Sequence, residues 1–233
     1  VIVVPAGDWG GNVEVDHDLT IEAEDASDPP TMAGRLTVDA SVEVKGVRLS
    51  PSRDVEAVYI KPGARARLEN VEVTRATGGT PLIEQLGGRL VIVDSWIHSS
   101  SVGFGVPAIV ANGRAFILRD SIVEGINATA TIDSYARSTA VVIEGNVIRN
   151  NTGDSTLLYY YAMGRGGRVN IRDNSIYRNV ASFSSVLTAT LEGPNKVSVT
   201  RNRISNNTSR NATITGQDAS YGATWRMHVH SNT

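Results

Sequence analysis

Val169-Asn170-Ile171-Arg172-Asp173-Asn174-Ser175-Ile176 reads apolar-x-apolar-x-polar-Asn-x-apolar. The same frame returns at Val141 to Ile148, Val197 to Ile204, Leu90 to Ile97 and Phe116 to Val123. Weaker copies run from Val42 to Leu49 and from Ala66 to Val73, and another begins at Met227. Aligned on the second apolar residue, the anchors are Val44, Leu68, Ile92, Leu118, Ile143, Ile171, Val199 and Val229, with Ile21 extending the series backwards. Neighbouring anchors lie 23 to 30 residues apart. Self-similarity at a nearly fixed period in this range marks a solenoid.

Within each repeat the apolar period is two, and the helical period of 3.6 is nearly absent. A coil parses into an alternating strand such as Leu36-Thr37-Val38 or Val58-Tyr59-Ile60, a glycine-bearing turn such as Pro62-Gly63 or Gly87-Gly88, the anchor strand, a polar corner, and a short strand centred five residues after the anchor. Such repeats are too short for strand-helix-strand units, which need about 30 residues or more with a crossover helix. Three short strands can instead close a coil. Each strand then pairs in parallel with its counterpart one repeat on, about 4.8 Å away. The expected fold is all-β, a right-handed parallel β-helix of about nine coils and roughly 40 Å, with little or no helix. Residues 1–233 form one such domain, expected to be a piece of a longer protein.

Stacking explains the columns. The anchors and the residues two before them point inward and build a core of like on like, because no coil can bury its apolar face alone. Three residues after the anchor stand Asn146, Asn174, Asn202 and Asn232, preceded by Ser95 and Ser121. Stacked amides hydrogen-bond along the axis and satisfy corner backbone groups, so these asparagines are read as structural.

Composition excludes several classes. The chain has 41% hydrophobic residues and no run approaching a membrane span. A net charge of −2 gives no general attraction to nucleic acid or acidic membranes. The absence of cysteine removes disulfides, thiol catalysis and cysteine-ligated zinc.

The copies Ile143 to Asn151, Ile171 to Asn179 and Val199 to Asn207, together with the opening Val3-Val4-Pro5-Ala6-Gly7, Leu19-Thr20-Ile21 and Val42 to Val47, resemble the coil repeat of the pectin-lyase-like superfamily. The resemblance covers most of the chain and implies a right-handed β-helix. It does not choose an activity, because the superfamily holds polysaccharide lyases, hydrolases and epimerases, phage tailspikes and non-enzymatic surface proteins. The calcium-binding aspartates and the paired-aspartate motifs of its enzymes have no residue-by-residue match in this sequence.

Three surfaces are candidates. Six residues after the anchor, alternation exposes His98, Glu124, Arg149 and Tyr177 on consecutive coils. A lyase of acidic sugars needs one group to neutralise a carboxylate, one to take the adjacent proton and one to protonate the leaving oxygen. Arg149 suits the first role, and His98 or Tyr177 the others. The plainer explanation is a solvated face with Glu124 and Arg149 as an adjacent-rung ion pair. Three residues before the anchor runs a basic column of Arg65, Arg89, Arg168, Lys196 and Arg226, with Arg114 one residue off. It suits a polyanion, or else a row neutralised by carboxylates such as Glu69 or Glu192. In Tyr159-Tyr160-Tyr161 the outer two are placed to stack on sugars and the middle one to pack inward, although tyrosine is also an ordinary strand residue. His228 and His230 are half a metal site at best, so no metal and no cofactor is expected.

The sequence therefore points to a binding or structural module that displays a surface to an extended carbohydrate, acidic or neutral, or to a protein partner. The alternative is a polysaccharide lyase, epimerase or hydrolase. Coils no longer than 30 residues leave little chain to wall a catalytic cleft. An extracellular or cell-surface setting, bacterial or phage, is expected, with neither nucleic acid nor a membrane span. The strand at 227–230 is expected to be covered by further chain or by self-association, because open sheet edges invite pairing.

Overall fold

The computed structural model describes residues 1–75, 77–137, 140–153, 158–163, 167–191, 195–218 and 226–230; for 135–137, 161–163, 191, 217–218 and 226–230 only the backbone is described. Three parallel sheets run the length of the molecule, of ten, thirteen and nine strands. The ten-stranded sheet carries the anchors. The thirteen-stranded sheet, here the second, begins at the polar corner, and the nine-stranded third sheet closes the coil. No helix occurs among the described residues.

The register matches the repeat alignment. Ile143 pairs with Leu118 on one side and Ile171 on the other, and Ile171 pairs with Val199. The core includes three stacks of like residues: Val44, Leu68, Ile92 and Leu118 from the anchor sheet, Leu49, Val73, Ile97 and Val123 from the second, and Leu36, Val58, Ile83 and Ile109 from the third, all fully buried. Each of these three stacks has one aliphatic per rung, so the apolar area removed from water grows coil by coil.

The corner has a conformational signature. Two residues after each anchor from Val44 to Val199 the backbone is left-handed, at Gly46, Asn70, Asp94, Asp120, Gly145, Asp173 and Arg201. Glycine, asparagine and aspartate dominate because they tolerate this region best. A second left-handed column stands seven residues after the anchor, at Ser99, Gly125, Asn150, Arg178 and Asn206.

From Asp94 onward each left-handed residue of the first column is followed by a ladder serine or asparagine, whereas Gly46 and Asn70 are followed by Val47 and Val71. Ser121 Oγ accepts from the Ser95 amide at 3.1 Å, Asn146 Oδ1 from the Ser121 amide at 3.0 Å and Asn174 Oδ1 from the Asn146 amide at 2.9 Å. Asn202 Oδ1 accepts from the Asn174 amide at 3.1 Å. A second ladder, of Asn151, Asn179 and Asn207, follows the second left-handed column, with Ser100 in the same column and Ile126 on the rung between. Both ladders are structural, as buried polar groups with saturated partners should be. Asn232 lies outside the described residues.

Candidate functional site

The second sheet presents the richest chemistry. Alternation turns Val73, Ile97, Val123, Ile148 and Ile176 inward and leaves outward residues on either side of each. Register aligns these into two rails along the axis. One rail is Arg48, Glu72, Trp96, Ile122, Val147, Ser175 and Arg203; the other is Thr74, His98, Glu124, Arg149, Tyr177 and Ser205. The middle of the first rail is apolar and partly open, with Trp96 41% and Ile122 37% exposed.

The rails are cross-linked. The Trp96 and His98 rings stack with centroids 3.6 Å apart. Trp96 Nε1 donates to Glu124 Oε1 at 3.0 Å, and Arg149 Nε donates to Glu124 Oε2 at 2.6 Å. The Arg149 guanidinium also donates to Tyr177 Oη at 3.2 Å. In the other direction His98 Nε2 and Glu72 Oε1 share a hydrogen bond of 2.9 Å, and Arg48 Nε donates to Glu72 Oε2 at 2.7 Å. An unbroken chain of contacts thus runs from Arg48 to Tyr177.

Its electrostatics follow from these bonds. The hydrogen bond from Arg149, opposed by burial and aided by Trp96, holds the Glu124 carboxyl below its ordinary range. Burial works against ionisation of Glu72, but bonds from Arg48 and His98 outweigh it and lower its pKa. Glu124, and then Tyr177, raise the pKa of Arg149. The strip therefore holds two ionised carboxylates whose charges are met locally.

His98, Glu124, Arg149 and Tyr177 thus stand in the column that the spacing predicts, with His98 and Tyr177 three rungs apart. Trp96, Glu72, Arg48 and Ile122 complete the surface and were not singled out from the sequence. The available signal was the outward position four residues after the anchor, which the same alternation exposes.

The basic column resolves into two runs. Arg65 pairs in register with Arg89, but the next two rungs are Ala115 and Ala140. Arg168, Lys196 and Arg226 then follow on consecutive strands. Arg114 is exposed and lies in the turn, one residue before the column. Glu69 is bound by Arg67 at 2.8 Å rather than by Arg65, because Arg67 is its next outward neighbour on the strand and Arg65 stands one outward position further away. Glu192 and the Arg226 side chain lie outside the described residues. Tyr160 is buried and Tyr159 half-buried on the outer face, whereas the Tyr161 side chain, like those of His228 and His230, is not among those described. Among the described residues no three His, Cys, Asp or Glu side chains gather as metal ligands. Nor is any helix there long and apolar enough to cross a membrane.

A family model described as "right handed beta helix region" matches residues 36–191, about two thirds of the chain. No curated protein matches, and neither does any solved structure.

Proposed function

The chain belongs to the right-handed β-helix family, and on that premise we propose that it is a binding module that holds an extended glycan along the second sheet. One observation carries this reading: an open apolar rail, Trp96 and Ile122, runs beside a hydrogen-bonding rail, His98, Glu124, Arg149 and Tyr177. A pyranose ring offers the complement, with C–H faces for the first rail and hydroxyl edges for the second. Rungs about 4.8 Å apart repeat both rails at a spacing comparable to that of sugar units. The Trp96–His98 stack and the bonds around Glu124 order these side chains before any ligand arrives, which lowers the entropic cost of binding.

The same bonds support binding over catalysis. A lyase needs an unencumbered cation for the substrate carboxylate and a group ready to deliver a proton. Arg149 already faces Glu124 and Tyr177, and Glu72 and Glu124 are both held ionised. This reading places the module outside the cell, where extended glycans are met.

The test is calorimetric titration with cellulose-, pectin-, alginate- and chondroitin-derived oligomers, with absorbance followed for new unsaturated ends. Binding that Trp96→Ala weakens tenfold or more, without new chain ends, is the expected result. Chain cleavage that Arg149→Ala abolishes would make the domain a lyase instead.

A further inference from the structure

Charge is divided unevenly along the chain. Residues 1–144 hold 12 Lys and Arg against 20 Asp and Glu, whereas residues 145–233 hold 10 against 4. Each coil stacks on the one before, so this division becomes a gradient along the axis, acidic at the first rungs and basic towards the last. In the basic part Asp173 is already held by Arg201 at 2.6 Å.

Within that part, two adjacent rungs of the second sheet form a pocket of about 300 Å³, lined by Tyr177, Arg178, Arg203, Ser205 and Asn206. That volume is at the lower end of the ~300–1,000 Å³ usual for small-molecule sites. No carboxylate lines it, and the exposed Arg178 and Arg203 have no ion-pair partner among the described residues. Every lining side chain has a donor to offer. Tyr177 Oη accepts from the Arg149 guanidinium at 3.2 Å, which leaves its own proton to donate.

Arg178 marks the pocket in a second way. Its φ is 56°, in a column whose other left-handed members are Ser99, Gly125, Asn150 and Asn206. Arg201, also left-handed, is bound to Asp173, but Arg178 has no such bond among the described residues. Strain that the fold's own contacts do not offset is a mark of function. Arg168 and Lys196 are exposed too, but they sit on the anchor sheet with ordinary strand backbone.

We propose that this pocket binds a phosphate monoester, with Arg178 and Arg203 clamping its oxygens and Tyr177, Ser205 and Asn206 donating to them. A monoester carries nearly two negative charges at neutral pH and three terminal oxygens, which suits two guanidinium forks and three further donors. A carboxylate has one charge and two oxygens, and a single fork satisfies it. The surplus of donors therefore selects phosphate over uronic acids. The basic end of the gradient raises the local concentration of such a dianion. This inference does not rest on the glycan reading, because Trp96 stands four rungs from Arg203 in its rail.

The protein is titrated by calorimetry with phenyl phosphate, inorganic phosphate, phenyl sulfate and glucuronate at low and physiological salt. Phenyl phosphate is expected to bind at least tenfold tighter than phenyl sulfate and glucuronate, and more weakly as salt rises. Arg178→Asn and Arg203→Gln should each lose at least tenfold in affinity. Arg210→Gln, at an exposed position outside the lining, should lose less than twofold. Arg178→Asn relieves the left-handed strain, so its loss of binding comes with an undiminished urea midpoint and is not a folding defect. Equal binding of the four anions, or wild-type affinity in either pocket variant, would overturn the proposal. An equal loss in Arg210→Gln would overturn it in favour of diffuse attraction, and tighter binding of inorganic phosphate than of the ester in favour of the free ion. So would the absence of phenyl phosphate binding.

Discussion

The indole of Trp96 lies against the imidazole of His98, with planes 17° apart and centroids separated by 3.6 Å. The two residues are neighbours on the outward face of one strand, and each also reaches a carboxylate on a different rung: Trp96 reaches Glu124, and His98 reaches Glu72. One stacked pair therefore joins the rungs on both sides into a single strip.

That arrangement separates two effects of mutation. Trp96→Phe keeps an aromatic face but removes the donor to Glu124, whereas Trp96→Ala removes both. Glycan affinity should fall about tenfold, or roughly 1.4 kcal/mol, in the alanine variant and clearly less in the phenylalanine variant. Both should unfold close to the wild-type midpoint, because Trp96 is exposed. Equal losses of affinity in the two variants would mean that the hydrogen bond, not the ring face, matters.

The asparagine ladder should dominate local stability. Asn174 Oδ1 accepts from the Asn146 amide and side chain, and its Nδ2 donates to the Ile143 and Arg172 carbonyls and to Asn202. Asn174→Ala orphans several buried groups and should cost roughly 3 kcal/mol in urea unfolding. Asn174→Ser should cost less, because Ser121 fills the same column position and still accepts from the Ser95 amide.

Arg178 has φ of 56° and is exposed, between Asn150 and Asn206 in its column at 55° and 54°. A left-handed backbone penalises a long side chain more than asparagine. Arg178→Asn should therefore stabilise the protein by up to about 1 kcal/mol, read as a rise in the urea midpoint at constant slope. A lower midpoint would show that the Arg178 side chain contributes more than its backbone costs.

Asp133 faces outward between Val110 and Tyr159, with Oδ1 buried and without a hydrogen bond, and burial pushes its pKa up from 3.8 to about 6. A carboxyl raised in the folded state favours unfolding once the unfolded chain ionises. The penalty is absent below the unfolded pKa, grows as pH climbs from there to about 6, and is constant above. Asp133→Asn should be close to neutral at about pH 3.5 and stabilising by on the order of 2 kcal/mol at pH 7. A difference between the two proteins that does not change with pH would refute the effect of burial.

How much of this was legible in the sequence can be judged from particular residues. Ile143, Ile171 and Val199 announced themselves, because an inward column must repeat an aliphatic on every coil, and alternation fixes which residues face in. The order His98, Glu124, Arg149, Tyr177 followed from the same arithmetic. The second ladder of Asn151, Asn179 and Asn207 lay in the quoted repeats, but its role became visible only when the left-handed residue before each member was seen.

Periodicity alone thus determined the coil, its core and which residues share a column, since parallel pairing carries each position directly onto the next rung. Tertiary structure decided what those columns do. Whether a charge is met or left open depends on side-chain reach across rungs and along strands: Arg67 takes both Glu43 and Glu69, and Arg178 and Arg203 are left facing a pocket. Such distances arise only when the coils are stacked, and no one-dimensional repeat contains them.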